Sequence, residues 1–231
     1  MKVGSPILAR VQGEGRKSLL ETEAKELCRE YCIPVTKFEL AKSETDAVRF
    51  ANEIGYPIVM KILSPDVIHK SDVGGVEIGI KGDDDVRRGY RRIMENIKKN
   101  NPRARIVGIT VQEMAPSSTE VIVGAIKDPQ FGPVVMFGLG GIFVEVLKDV
   151  AFRVVPFTED DASDMISEIK AYPILKGYRN MPPADTKAIA DILMSTSRLM
   201  TDHTMIKEID LNPILVYEKG AKAVDARIVI E

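Results

Sequence analysis

Residues 61–76, KILSPDVIHKSDVGGV, contain His69, one of only two histidines in the chain. Lys61 closes an apolar run, Pro57-Ile58-Val59-Met60. A polar loop comes next, with His69 at its middle and Gly74-Gly75 at its exit. An imidazole with an ordinary pKa is largely uncharged and nucleophilic at neutral pH. It can therefore accept a phosphoryl group and pass it on, and the two glycines are expected to let the loop swing. A lysine at a strand end, its stem buried and its ammonium emerging into a cleft, suits phosphate oxygens. A lysine snorkelling from a strand end gives the same pattern.

A second cluster, Glu208-Ile209-Asp210-Leu211-Asn212-Pro213, precedes Asp225. Asp210 and Asn212 are two apart on an expected strand and so project to one face. Asp225 is expected to end a later strand beside them. Carboxylates and an amide oxygen fit Mg²⁺, which keeps water and phosphate in its shell; strand-end polar residues forming turns are the alternative. Gln112-Glu113-Met114 ends a strong strand before Ala115-Pro116. A strand that becomes a linker there offers backbone N–H and C=O groups to an adenine edge, with Met114 over the ring. Glu120 is placed to accept from ribose hydroxyls if the strands pair antiparallel. Phe137-Gly138-Leu139-Gly140-Gly141 reads as a turn in which glycine allows close approach to a ligand. Residues 142–147 are mostly β-branched or aromatic and carry no helix signal, so the dinucleotide-binding fingerprint fails and a hairpin is the alternative. His203, in a helix-end context, reads as structural.

These residues need elements to hold them. Residues 1–17 show little periodicity and read as a flexible arm. From Ser18 a helical pattern runs through Leu19, Leu20, Ala24, Leu27, Cys28 and Tyr31 to a stop at Pro34. Residues 35–40 read as a strand. Ser43 caps a helix ended by Gly55, residues 58–62 and 75–80 are strands, and Asp83 opens a helix closed by Asn100-Asn101-Pro102. The second half is strand-rich: residues 106–114, 120–127, 134–137 and 150–156, then 205–211, 214–217, 221–225 and 228–230. Helices capped by Thr158 and spanning 184–201 lie among them. Without regular βαβ alternation the class is α+β, with two sheet-bearing subdomains that part near residues 101–106.

Composition sets the bounds. The chain has 231 residues, 45% hydrophobic and 29% charged, enough for a buried core. A net charge of −2 provides no basic field for nucleic acid or anionic lipid. No apolar leader is visible in the first 17 residues, and residues 132–147, the most apolar later window, are broken by glycines, Pro133 and Glu145. Cys28 and Cys32 are the only cysteines. Four apart in a helical pattern, they read as two small buried residues on one face, and this usage suits a reducing cytosol.

In this order the clusters resemble the ATP-grasp superfamily. More closely, they resemble the ATP-grasp β subunit of NDP-forming acyl-CoA synthetases such as archaeal ADP-forming acetate–CoA ligase, with succinyl-CoA synthetase as a relative. The likeness rests on residues 61–65, the string His69-Lys70-Ser71-Asp72-Val73-Gly74-Gly75-Val76, residues 131–141 and Glu208-Ile209-Asp210-Leu211-Asn212-Pro213, and covers roughly residues 18–231. It implies subdomains 18–105 and 106–231, with the nucleotide in the cleft between them. It also implies the reaction acyl-CoA + ADP + phosphate ⇌ carboxylic acid + CoA + ATP. A partner α subunit would hold CoA and carry the first phosphohistidine; His69 would take that phosphoryl group and hand it to ADP. Lys61 and Gln112, Glu113 and Met114 would bind ATP or ADP, with Glu120 near the ribose and the Gly140-Gly141 turn alongside. Asn212 and Asp225 would hold Mg²⁺, with Asp210 supporting the metal or orienting the histidine. A cytoplasmic α₂β₂ assembly is implied. A carboxylate ligase working alone through an acyl phosphate, or a non-catalytic ATP-binding regulatory module, are the other readings.

Overall fold

The computed structural model describes residues 4–67, 69–179 and 182–231. Two short helices begin the chain, α1 (Pro6–Gly13) and α2 (Glu21–Glu30). Then come β1 (Phe38–Ala41), α3 (Glu44–Ile54), β2 (Ile58–Leu63), β3 (Val76–Ile80), α4 (Asp83–Asn100) and β4 (Gly108–Glu113). The remainder is β5 (Thr119–Asp128), β6 (Gly132–Leu139), α5 (Ile142–Glu145), β7 (Val150–Val154), α6 (Glu159–Glu168), α7 (Tyr172–Leu175), α8 (Thr186–Asp202), β8 (Ile206–Val216), β9 (Ala221–Ala223) and β10 (Arg227–Ile230).

The chain divides into two units. One runs from Thr36 to Pro116; the other takes the residues up to Val35 and those from Ser117 onward. This differs from the expected parting at residues 105 and 106. β4, expected to open the second half, pairs antiparallel with β2 through six residues, Ile58↔Glu113 to Leu63↔Gly108, and with β1. It therefore stays with the strands before it. α2 goes the other way: Ala24, Leu27 and Cys28 enter the same core as Val121, Val123 and Ile209.

The inserted unit, residues 36–116, is a four-stranded antiparallel sheet in the order β1-β4-β2-β3. Its α3 and α4 pack through Ala47, Ala51, Val86, Ile93 and Ile97 onto Met60, Ile62, Ile109 and Val111. Ser43 Oγ accepts from Asp46 N and caps α3. In α4 three aspartates fill the first turn and Lys98 and Lys99 the last, matching the helix dipole at both ends.

The other unit holds a sheet ordered β10-β8-β5-β6-β7, with β9 paired to β8. Val121, Val123, Ala125, Val135 and Phe137 bury one face in the core with Met165, Ile166, Ile189 and Leu193 of α6 and α8. Thr158 and Asp161 form a capping box at the start of α6. Residues 205–211 and 214–217, expected as two strands, are the single β8, because both stretches pair with β5 on either side of a bulge. The arm expected at residues 1–17 is a correction as well, residues 1–3 lying outside the described ones. Proline at the N-terminal end of α1 favours the helix, and Ile7, Leu8 and Val11 are core residues. Ile230 N donates to Lys17 O, and Leu19 N to Ile228 O, so the chain after α1 runs along β10.

A flexible arm would tolerate truncation of its apolar side chains. Since Leu8 is 1% exposed, Leu8→Ala should instead destabilise by about 2–5 kcal/mol in chemical denaturation.

Candidate functional site

In the inserted unit, Lys61 and Gln112 leave the same face of the sheet. Their register partners Thr110 and Val59 lie between them, and Met60, Ile62 and Val111 take the helix-facing positions. Both side chains are buried, Lys61 at 8% and Gln112 at 1% exposure. Thr110 Oγ1 donates to Lys61 O, fixing the strand at this point. Glu113 lies opposite Ile58, a helix-facing core residue, so its side chain leaves the other face from Gln112. The backbone donors expected to be free here are in use: Glu113 N donates to Lys37 O and Met114 N to Pro57 O. A carbonyl oxygen has two lone pairs and so can accept a second hydrogen bond beside one made within the sheet. Met114 is 40% exposed.

His69 is exposed. The neighbouring Ile68 lies outside the described residues. The exit of the loop is tightly held: Gly75 N donates to Lys70 O at 2.7 Å, Ile62 N to Gly75 O, and Asn96 Nδ2 to Gly74 O at 2.9 Å. Gly74 has φ +67°, and a Cβ there would meet Asn96 Nδ2 at 2.5 Å; a Cβ at Gly75 would meet Ile62 Cγ2 at 2.6 Å. These glycines permit close packing and a left-handed turn. That differs from the expected role as freely swinging joints, because both are pinned.

In the other unit Glu120, Gly124 and Asp210 share the sheet face turned away from the core residues Val121, Val123 and Ala125. Gly124 sits opposite Asp210. Gly140 N donates to Glu120 O at 2.8 Å, and a Cβ on Gly140 would lie 3.0 Å from Glu120 Cβ, so the glycine turn is closed against Glu120. Gly141 has φ +63°. The turn leads into the four-residue α5, where no helix signal was expected; four residues leave too little sequence to display a helical period.

β8 bulges where Asn212-Pro213 stands against the single residue Ile122, a local device that re-aims side chains. Asn212 is exposed there. β9 ends at Ala223, so Asp225 belongs to the link to β10 and not to a strand end. Val224 N donates to Pro213 O at 2.9 Å and holds that link against the bulge. Asp210, Asn212 and Asp225 thus occupy one corner. Burial pushes the Asp210 carboxyl up, and the charges of Glu208 and Asp225 push it further against the pull of Arg227. Such an under-neutralised carboxylate fits a hard cation bound through oxygen. Among the described residues no three His, Cys, Asp or Glu surround a common point. An ion here would complete its shell with water or phosphate oxygens.

His203 behaves as a structural residue: its Nε2 lies 2.9 Å from Tyr31 Oη at the end of α8. Cys28 is buried and its thiol is pushed up to about 12 by burial. Cys32 is exposed, a correction, because α2 ends at Glu30 and Cys32 stands beyond it at φ +59°. Two features escaped sequence reasoning, the grip of Arg105 on Asp66 and the reach of Asn96 to Gly74. Their partners are 39 and 22 residues apart, with no periodic signal to link them. Among the described residues no helix is long and apolar enough to cross a membrane.

Residues 10–230 match a family model described as an ATP-grasp domain. The chain is 54% identical over 97% of its length to the β subunit of acetate–CoA ligase (ADP-forming) I of Pyrococcus furiosus, 96% of which is covered. Two solved structures of Ca. Korarchaeum cryptofilum dinucleotide-forming acetyl-coenzyme A synthetase 1 superpose on it. One, with coenzyme A, acetyl-coenzyme A and a phosphorylated phosphohistidine segment, has TM-score 0.92 and 51% identity, covering 97% of this chain and 98% of that one. The other, with coenzyme A and Mg-AMPPCP and its phosphohistidine segment pointing towards the nucleotide binding site, has TM-score 0.87 and 49% identity, with the same coverage.

The raised pKa of Asp210 has a thermodynamic consequence. Its stabilising contribution is present below the unfolded pKa and is lost as pH rises through the folded one, so at neutral pH the ionised group opposes folding. Without divalent cations, Asp210→Asn should raise the melting temperature at neutral pH. The gain should fade as pH falls to about 3.9, the unperturbed value.

Proposed function

The chain belongs to the ATP-grasp family, and on that premise we propose that it is the β subunit of an ADP-forming acetate–CoA ligase whose His69 relays a phosphoryl group to ADP. The observation that carries this reading is the exposed His69 on a loop rooted beside Lys61, in a chain 54% identical to a named β subunit over nearly its whole length. The overall reaction is acyl-CoA + ADP + phosphate ⇌ carboxylic acid + CoA + ATP. Nothing in either unit provides a second histidine suited to the relay, since His203 is held by Tyr31. The coenzyme A chemistry is therefore assigned to a partner α subunit, in an α₂β₂ complex. Free Cys28 and Cys32 suit a reducing cytoplasm.

His69 takes the phosphoryl group from the phosphohistidine of the α partner: a P–N bond to the His69 imidazole forms as the donor's P–N bond breaks, leaving the donor imidazole free. At the nucleotide, a β-phosphate oxygen of ADP attacks the phosphorus; a P–O bond forms, the P–N bond breaks and the imidazole is regenerated. Such transfers depend mostly on position and charge neutralisation. Lys61 supplies a point charge on a rigid strand, its stem packed so that the ammonium has little freedom to lose. The carbonyls of Glu113 and Met114 can accept from an adenine amino group, and Glu120 from ribose hydroxyls. Mg²⁺, when bound by Asn212 and Asp225 with Asp210 in support, offsets polyphosphate charge. Asp210, carrying excess negative charge, can equally hold the imidazolium form of a histidine brought to it.

Two outcomes test the assignment. With the α partner and labelled Mg-ATP, the wild-type chain should acquire an acid-labile label on His69. His69→Ala should lose the label and acetyl-CoA-dependent ATP synthesis by at least about 10³-fold; retention of full synthesis refutes the relay. Asn212→Ala and Asp225→Ala should each weaken nucleotide binding in Mg²⁺ by about tenfold or more while leaving the melting temperature within a few degrees. Unaltered Mg²⁺ titrations of both variants would remove the metal assignment.

A further inference from the structure

We propose that Arg227 is a phosphate-binding residue of the Asp210–Asn212–Asp225 corner, taking the nucleotide's terminal phosphate on guanidinium N–H groups that Glu208 leaves open, an assignment that rests on the nucleotide reading of that corner. β10 pairs antiparallel with β8, and the register sets Arg227 opposite Asp210 and Ile228 opposite Ile209. Ile228 and Ile209 are core residues. The pleat therefore turns Arg227 and Asp210 together to the other face, their Cβ atoms about 4.5–5.5 Å apart. Glu208, two residues from Asp210 on the same strand, shares that face. A guanidinium thus stands in a row of carboxylates that leads to the bulge at Asn212.

The guanidinium is only partly used. Among the described residues Glu208 is the one hydrogen-bond partner of the Arg227 side chain, Nη1 donating to Oε1 at 2.7 Å. Arg16, in the same unit, shows the contrast. Its Nε donates to Glu14 and its two terminal nitrogens to the two oxygens of Glu23, and it is 15% exposed. Arg227 is 52% exposed. A guanidinium carries five N–H donors in a planar fork. With Nη1 on Glu208, Nε and Nη2 remain for an acceptor. Two parallel bonds from such a fork to two oxygens are the geometry that a phosphate group accepts.

Charge says what that acceptor is. Glu208, Asp210 and Asp225 bring carboxylates to the corner against one guanidinium. A divalent ion at Asn212 and Asp225 offsets much of this excess, and a polyphosphate on the ion then brings negative charge back. Asn212 lies two residues beyond Asp210, about 7 Å along a strand. The ion and the guanidinium accordingly stand apart along one row. Two positive charges spaced in this way hold two ends of a polyphosphate, and give a monophosphate little beyond what the ion gives. Glu208 is a positioning residue: it does not meet the nucleotide, and it keeps a long side chain over the row.

The dependence on phosphate number tests the assignment. In the chain assembled with its α partner, with Mg²⁺ present, Arg227→Ala should raise the Kd for ADP and for a non-hydrolysable ATP analogue by about tenfold or more, and leave that for AMP within about twofold. Arg227→Lys should recover part of the loss. Guanidinium ion, added at a concentration that leaves the melting temperature unchanged, should restore ADP binding to Arg227→Ala. Glu208→Ala should raise the Kd for ADP by about two- to threefold in the wild-type background and no further in Arg227→Ala. Unchanged ADP affinity in Arg227→Ala, or equal losses for AMP and ADP, overturns the proposal. Equal effects of Glu208→Ala in both backgrounds overturn its positioning role. Asn212→Ala is titrated in parallel: if the wild type binds no nucleotide, the reading of the corner itself has failed, and if Asn212→Ala weakens Mg-ADP binding while Arg227→Ala matches the wild type, only the assignment of Arg227 has failed.

Discussion

The antiparallel ladder between β5 and β8 is the constraint on which the candidate site of the larger unit depends. Its register puts Gly124 opposite Asp210, keeps Glu120 on the same face, and sends Val121, Val123, Ala125, Ile209 and Leu211 into the core. A one-residue slip would turn every one of these side chains to the other face. The bulge at Asn212-Pro213 interrupts the ladder where a change of aim is needed, and the bond from Val224 N to Pro213 O brings Asp225 to it. Apolar burial on one face thereby determines where the carboxylates stand on the other.

Electrostatics then gives that corner its character. Asp210 is pressed by burial and by two neighbouring carboxylates, with Arg227 opposing them in part. Arg227 is also committed to Glu208, at 2.7 Å. An arrangement that raises a carboxyl pKa lowers the stability of the empty protein, and the same arrangement becomes favourable once positive charge arrives. The inserted unit has the opposite sign: Lys61 presents a cation on a strand buried on both faces.

The histidine loop is held on both sides of His69. Backbone bonds and glycines too crowded to accept a side chain hold its exit. A water-exposed ion pair holds its entry. The glycine pair is therefore part of a packed surface, and on the other side of the histidine Val67 is buried in the core of the same unit.

The sequence by itself determined most of the elements, because each is a local matter. Ser43 and Thr158 cap the helices they were expected to cap, apolar runs marked β2, β3, β5 and β6, and a histidine among polar residues was legible as an exposed one. The His-Lys-Ser-Asp-x-Gly-Gly and Glu-Ile-Asp-x-Asn-Pro strings were enough to carry the family. Tertiary structure decided what depends on distant partners. α1 looked like an arm because a helix of eight residues displays its apolar face too briefly to be read, and only the core it enters reveals it. β4 joined the strands before it, and α2 the strands after it, through pairing and packing that no local pattern records. Arg105 met Asp66 only because folding closed the 39 residues that separate them.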